Sequence, residues 1–84
     1  MTRCTVVWDD EALKELAAIW VRASDRRAVT TAVALIDEQL SIDPHSTGDE
    51  LHEGLRALIT SPLRIQFEVQ TDDRLARVLT VALL

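Results

Sequence analysis

Two arginines in the C-terminal half of the chain, Arg56 and Arg64, are its first candidates for chemistry. A guanidinium group donates forked hydrogen bonds to carboxylate and phosphate oxygens. If the two side chains converge on one sheet face, they can bind a phosphate or an acidic partner. The alternative is that both pair with Glu68 across neighbouring strands as a solvated surface network.

The two histidines, His45 and His52, lie in a polar stretch together with several carboxylate residues. Imidazole titrates near neutrality, so His52 is a candidate for proton transfer. Imidazole and carboxylate groups also bind metals, but the spacing here matches no closed metal site. We therefore expect no metal and no cofactor, and a solvated loop is the main alternative to a catalytic His52.

Composition limits the class of protein. The chain has 84 residues, 48% of them hydrophobic, and a formal net charge of −5, which predicts a single domain over residues 1–84 and argues against broad binding to a phosphate backbone. Cys4 has no second cysteine to pair with, which favours a reducing compartment. No apolar run approaches the ~20 residues of a membrane span. We expect a cytoplasmic protein with no membrane partner.

The elements that must position these residues begin with a strand from Arg3 to Trp8, rich in β-branched residues. A helix follows from Asp10 to Ala23, and a second helix, capped by Ser24 or Asp25, ends near Asp43 because Pro44 stops it. The apolar stripes place the following residues on the inner faces of the two helices: Leu13, Leu16, Ala17 and Trp20 in the first, and Val29, Ala32 or Val33, Ile36 and Leu40 in the second.

The second half reads as a polar loop from Pro44 to Gly54 with one short helical turn, followed by three strands. These are Leu55 to Thr60, Leu63 to Thr71 and Arg74 to Leu84, joined by tight turns at Ser61-Pro62 and Asp72-Asp73. The middle strand alternates between apolar and polar residues, whereas the last is apolar on both sides. The pattern predicts an α+β fold, β-α-α-β-β-β, with a helical hairpin packed on one face of a mainly antiparallel four-stranded sheet.

Three fragments in this order, TVVWDDEALKELAAIW, AVTTAVALIDEQLSIDP and GLRALITSPLRIQFEVQTDDRLARVLTV, resemble the RelE/ParE family of toxins from bacterial toxin-antitoxin systems. The resemblance covers nearly the whole chain, and its most specific part is PLRIQFEV, a charged turn and RVLTV. It implies a helical hairpin on an antiparallel sheet and a cognate antitoxin that becomes ordered as it wraps the toxin.

The resemblance also implies one of two targets, because some members cut messenger RNA in the ribosome and others inhibit DNA gyrase. Arg56 and Arg64 match basic positions of the cutting members. Leu84 stands where those members carry a further arginine, and the sequence contains no tyrosine. RNA cleavage requires a base, a charge clamp and an acid, and only the clamp is visible here.

We therefore predict a toxin-like component of a type II toxin-antitoxin system that acts by binding a cellular target and is neutralised by a small antitoxin. The alternatives are a ribosome-dependent mRNA endonuclease, and an inactive homologue that serves as an oligomerising or regulatory module, with a homodimer among its forms. The weak catalytic candidates are Arg56, Arg64 and His52. The predicted partner-binding residues are Arg64, Gln66, Glu68, Val81, Leu83 and Leu84.

Overall fold

In the computed structural model, which describes residues 3–84, two helices follow a first strand and precede four more strands. The helical part consists of α1 (Asp10–Arg22), α2 (Arg26–Ile42) and a short 3-10 turn (Pro44–Ser46). The strands are β1 (Thr5–Trp8), β2 (Asp49–His52), β3 (Leu55–Thr60), β4 (Leu63–Gln70) and β5 (Leu75–Leu83). The predicted helices and the three predicted C-terminal strands are confirmed to within two residues at each end.

The link between the helices explains where each of them stops and starts. Asp25 is the N-cap of α2, and its Oδ1 accepts a hydrogen bond of 3.0 Å from the backbone N–H of Ala28, which satisfies one of the unpaired donors of the first turn. Arg26 donates in the other direction, to the carbonyl oxygens of Trp20 (2.9 Å) and Val21 (3.2 Å). Its positive charge therefore stabilises the C-terminal end of α1.

The strands form one mixed sheet in the order β1-β5-β4-β3-β2. β1 and β5 are parallel, and the other pairs are antiparallel. The difference from the predicted four-stranded sheet is β2, which occupies the second part of the segment predicted as a loop. The predicted short helical turn is present as the 3-10 turn. All four residues of β2 are exposed, so its pairing with β3, rather than a buried side, makes it a strand.

One face of the sheet, which we call the covered face, packs under both helices. Leu63, Ile65 and Phe67 of β4 are fully buried there, as the alternation predicts. The stripe predicted for α1 is only partly correct: Leu16 packs against the core, but Leu13 and Trp20 are 48% and 42% exposed, and Ala12 and Ile19 are buried in their place. Both sets of residues have helical spacing, so the spacing alone does not decide which of them faces the sheet.

Trp8 connects β1 to α2. Its ring packs against the core, and its Nε1–H donates a hydrogen bond of 2.7 Å to Oδ1 of Asp37. Within the described part of the chain, no helix is long and apolar enough to cross a membrane.

Replacing Trp8 by phenylalanine is expected to lower the free energy of unfolding by about 1–2 kcal/mol, because the ring keeps most of its apolar contact but the charged hydrogen bond is lost. Chemical denaturation measures this loss. Asp37→Asn is the matched control, since it retains an acceptor oxygen and should have a smaller effect. Equal losses in the two variants would contradict a role for the hydrogen bond itself.

Candidate binding surface

The register of the sheet places the two candidate arginines on opposite faces. Arg56 pairs with Phe67, a fully buried residue of the covered face. Arg64 pairs with Ile59 on one side and Ala82 on the other, and residues directly opposite in antiparallel strands share a face. Arg64 therefore points to the other face, which we call the open face, and the predicted convergence of the two guanidinium groups does not occur.

Arg56 binds the backbone of its own fold. Its Nε donates to the carbonyl oxygen of Thr47 (2.8 Å), and its Nη2 donates to that of Gly48 (3.0 Å). These carbonyls belong to the segment that leads into β2. Two of its donors are thus already occupied, and the side chain holds the β2 segment against β3.

Arg64 lies on the exposed part of the open face. Its row across the sheet is apolar and accessible, since Ile59 is 61% exposed and Ala82 is also exposed. A cleft of about 390 Å³ reaches from Arg64 and Ile59 to Leu51 of β2. Within residues 3–84, no carboxylate lies within 4.0 Å of the Arg64 guanidinium. Its charge is therefore available to a ligand.

A second open-face arginine, Arg77 on β5, was not singled out by the sequence. Its Nε lies 3.4 Å from Oε1 of Glu68, and its Nη1 lies 4.0 Å from Oδ1 of Asp9. The alternative expectation was that Arg56 and Arg64 both pair with Glu68, but the arginine beside Glu68 is Arg77. The signal in the sequence was weak, because Arg77 stands among mostly apolar residues and only the register brings it opposite Glu68.

The histidines lie apart. His52 is exposed at the edge of the open face, opposite Leu55. His45 lies at the end of the covered face, where its Nε2 is 3.4 Å from Oγ1 of Thr71. A cleft of about 310 Å³ there is also lined by Arg56 and by carboxylates of the β2 region. Among residues 3–84, no three histidine, cysteine or carboxylate side chains come together as metal ligands.

The other predicted partner-binding residues differ in how exposed their side chains are. Gln66 and Glu68 are half-buried on the open face. Leu83 and Leu84 are 37% and 63% exposed. Val81 pairs with Ile65 and is only 3% exposed, so its side chain belongs to the core and cannot contact a partner. The sequence of β5 could not show that Val81 is buried while its neighbours are exposed, because both faces of that strand carry apolar residues.

Comparison with known proteins finds no matching family model and no matching curated protein, but it finds solved structures of the same fold. The toxin-antitoxin complex RelBE2 from Mycobacterium tuberculosis aligns over 100% of this chain and 94% of its own, with a TM-score of 0.82 and 18% identity. The chromosomal ParDE system from P. aeruginosa aligns over 96% of both chains (TM-score 0.66, 21% identity). The isolated E. coli RelE toxin aligns over 95% of this chain and 83% of its own (TM-score 0.63, 16% identity).

The chain thus has a RelE/ParE-like fold, as its sequence resemblance implied. TrmO from Pseudomonas aeruginosa also aligns, over 98% of this chain and 36% of its own, with a TM-score of 0.62 and 22% identity. The same scaffold therefore also occurs as part of a longer protein that is not described as a toxin. Function has to be argued from the surface, because one fold serves several activities.

Proposed function

We propose that the chain is the toxin-like component of a type II toxin-antitoxin system, acts by binding a cellular target in the cytoplasm, and is neutralised by a small antitoxin. The observation that carries the proposal is the alignment over the full chain with a protein of the RelBE2 toxin-antitoxin complex. The match with the isolated RelE toxin supports the toxin side of such a pair.

The geometry of the open face supports binding over RNA cleavage. A nuclease must bring a proton-transfer group and a cation to one phosphodiester. His52 lies opposite Leu55 and Arg64 lies opposite Ile59, so they are separated by four residues along β3. At roughly 3.4 Å per residue, this is about 14 Å along the strand. One phosphodiester cannot contact both groups.

Arg56 cannot complete such a site, because it faces the helices and binds the carbonyls of Thr47 and Gly48. The chain contains no tyrosine to replace the missing acid. Within residues 3–84, the open face offers one arginine without a carboxylate partner, Arg64, with exposed apolar neighbours. This surface suits recognition of another macromolecule, and we propose its residues Arg64, Gln66 and Glu68 as contacts for the antitoxin or the target. Leu83, which lies opposite Leu63 at the edge of the covered face, and Leu84, just past β5, are proposed as contacts beside it.

The direct test is induced expression in a bacterial host without the neighbouring gene. We expect growth arrest, and we expect coexpression of an antitoxin encoded beside the gene to restore growth. Charge reversal in Arg64→Glu should relieve the arrest, because it reverses an exposed charge of the open face that has no carboxylate partner among residues 3–84. Arg27→Glu, a reversal at an exposed site on α2, is the matched control and should still arrest growth.

The outcomes separate the alternatives. Unimpaired growth with folded, soluble protein would reject the toxin proposal and leave the inactive oligomerising or regulatory module. If growth stops, transcript mapping should show no codon-linked cuts, whereas such cuts would replace the binding proposal by the endonuclease. A gyrase supercoiling assay then decides between gyrase and another bound target.

A further inference from the structure

Helix α1 carries apolar side chains on two faces, and the fold covers only one of them. Its inner face packs on the core through Ala12, Leu16 and Ile19. Their neighbours along the helix form a second apolar set, which we call the outer stripe: Leu13, Ala17, Trp20 and Val21. The spacing of i, i+4, i+7 and i+8 places these four side chains next to one another on the helix surface.

The outer stripe is accessible to a partner. Leu13 and Trp20 are 48% and 42% exposed, and Val21 is 72% exposed. Ala17, at the middle of the stripe, is also exposed, and its small side chain lets the axis of another helix come close. Isolated apolar residues on a surface are common, whereas contiguous ones mark contact surfaces. The stripe is therefore the surface of α1 on which another element can pack.

The charged residues of α1 are ordered along its length. Its first turn holds Asp10 and Glu11, and its last turn holds Arg22. Lys14 forms an exposed ion pair of 3.7 Å with Glu11, and Glu15 accepts a hydrogen bond of 3.2 Å from the backbone of β5. Apart from Glu15, the helix thus carries two acidic and two basic residues. Their charges cancel, so this surface does not repel a copy of itself, although the whole chain has a net charge of −5.

We propose that a second copy of this chain covers the outer stripe, with the two α1 helices packed antiparallel about Ala17. In this arrangement Leu13 of one copy lies level with Val21 of the other, because each is four residues from Ala17. The acidic first turn of each helix lies beside the basic last turn of the other, and the opposed helix dipoles also attract. Both copies use the same patch, as in the two-fold symmetric dimers that are commonest among soluble oligomers.

A second copy fits the stripe better than a partner of one charge sign. A uniformly acidic segment would be attracted at Arg22 but repelled at Asp10 and Glu11, and a uniformly basic segment would meet the reverse. A reversed copy of α1 is attracted at both ends. The 13 residues of α1 span only about 20 Å, so the dimer belongs to the weak class. Because α1 covers the other side of the sheet, dimerisation leaves the open face free and does not depend on the proposed target.

Sedimentation velocity of the full chain over a concentration series tests the dimer. We expect the average mass to rise from the monomer value of 9.4 kDa toward twice that value. Val21→Asp should weaken dimerisation by more than about tenfold, because it places a carboxylate in the stripe of each copy. Leu35→Asp, at a site on α2 that is 45% exposed, is the matched control and should dimerise like the unmodified protein. Both variants should keep the unfolding temperature, since neither site belongs to the core.

Cysteine cross-linking tests the direction of the two helices. Leu13→Cys and Val21→Cys are prepared separately in a Cys4→Ser background, mixed and oxidised. A disulfide requires Cα atoms roughly 4.4–6.8 Å apart, and the antiparallel pair brings position 13 of one copy level with position 21 of the other. The mixture should therefore form much more disulfide-linked dimer than either variant alone.

Four results would overturn the proposal. A mass that stays at 9.4 kDa at every concentration would reject the second copy. Cross-linking of each variant with itself, as strong as in the mixture, would reject the antiparallel arrangement. Loss of the dimer in Leu35→Asp but not in Val21→Asp would place the interface on α2. A monomeric chain in which a coexpressed antitoxin protects an Ala17→Cys thiol from alkylation would make the antitoxin the occupant of the stripe.

Discussion

Replacing Gly48 by alanine is expected to lower the free energy of unfolding by about 3 kcal/mol, and Tm by roughly 12–24 °C in a domain of this size. Gly48 has φ +71°, and an added Cβ would lie 2.1 Å from the carbonyl oxygen of Ala57 and 2.9 Å from its carbonyl carbon. Both are backbone atoms of β3. They cannot rotate away as a flexible side chain would, so β2 must separate from β3.

Gly54→Ala is the matched control for this effect. Gly54 also has a positive φ, +81°, but no heavy atom lies within 4 Å of its added Cβ. It carries only the backbone penalty, about 1–2 kcal/mol. Thermal unfolding compares the two variants, and hydrogen exchange over Asp49–His52 should rise in Gly48→Ala alone. Similar destabilisation in both would show that steric contact with β3 is not what requires glycine at position 48.

β2 shows why part of this fold could not be read from the sequence. Asp49–His52 is short, polar and exposed at all four positions, so it lacks the alternation or apolar run by which a strand is recognised. Its existence depends on pairing with β3 and on the turn at Gly48, both of which are tertiary features. The strands with a buried side, such as β4, were predicted because burial leaves a pattern in the chain.

The division of the arginines between the two faces has a related cause. In β3, Leu55, Ala57 and Ile59 alternate with Arg56, Leu58 and Thr60, and apolar residues occur in both sets. The two-residue alternation of side chains along β3 therefore does not by itself decide which set faces the helices. The register with β4 decides it, and a shift of one residue would exchange every side chain. The type of each candidate residue was visible in the sequence, but its face was not.

The same ambiguity affects β5. Its first part is flanked by β1, through the parallel pairs from Thr5–Leu75 to Trp8–Val78, and its second part is flanked by α1. The sequence of β5 is apolar on both faces, but only one face, with Val78 and Val81, is buried. The other face is partly exposed and carries both polar and apolar residues. Leu84, just past the end of β5, is 63% exposed and is therefore accessible to a partner.

Substitutions at Arg56 and Arg64 should separate an effect on the stability of the fold from an effect on binding. Arg56→Gln is expected to lower the free energy of unfolding by about 2–3 kcal/mol, because charged hydrogen bonds to Thr47 and Gly48 are lost and their carbonyl oxygens are left without these donors. Arg64→Gln should change it by no more than ~0.5 kcal/mol, since the side chain is exposed and its guanidinium has no carboxylate partner within the described residues.

Their effects on function should be reversed. At a temperature where both variants are folded, Arg56→Gln should still arrest growth at equal protein level, because the side chain lies on the covered face. Arg64→Gln should weaken the arrest, because it removes the accessible charge of the open face. Denaturant unfolding and growth assays on the same two proteins check both halves. Loss of arrest in Arg56→Gln with unchanged stability would contradict this assignment, because an arginine that only holds β2 in place cannot act on a partner without first affecting the fold.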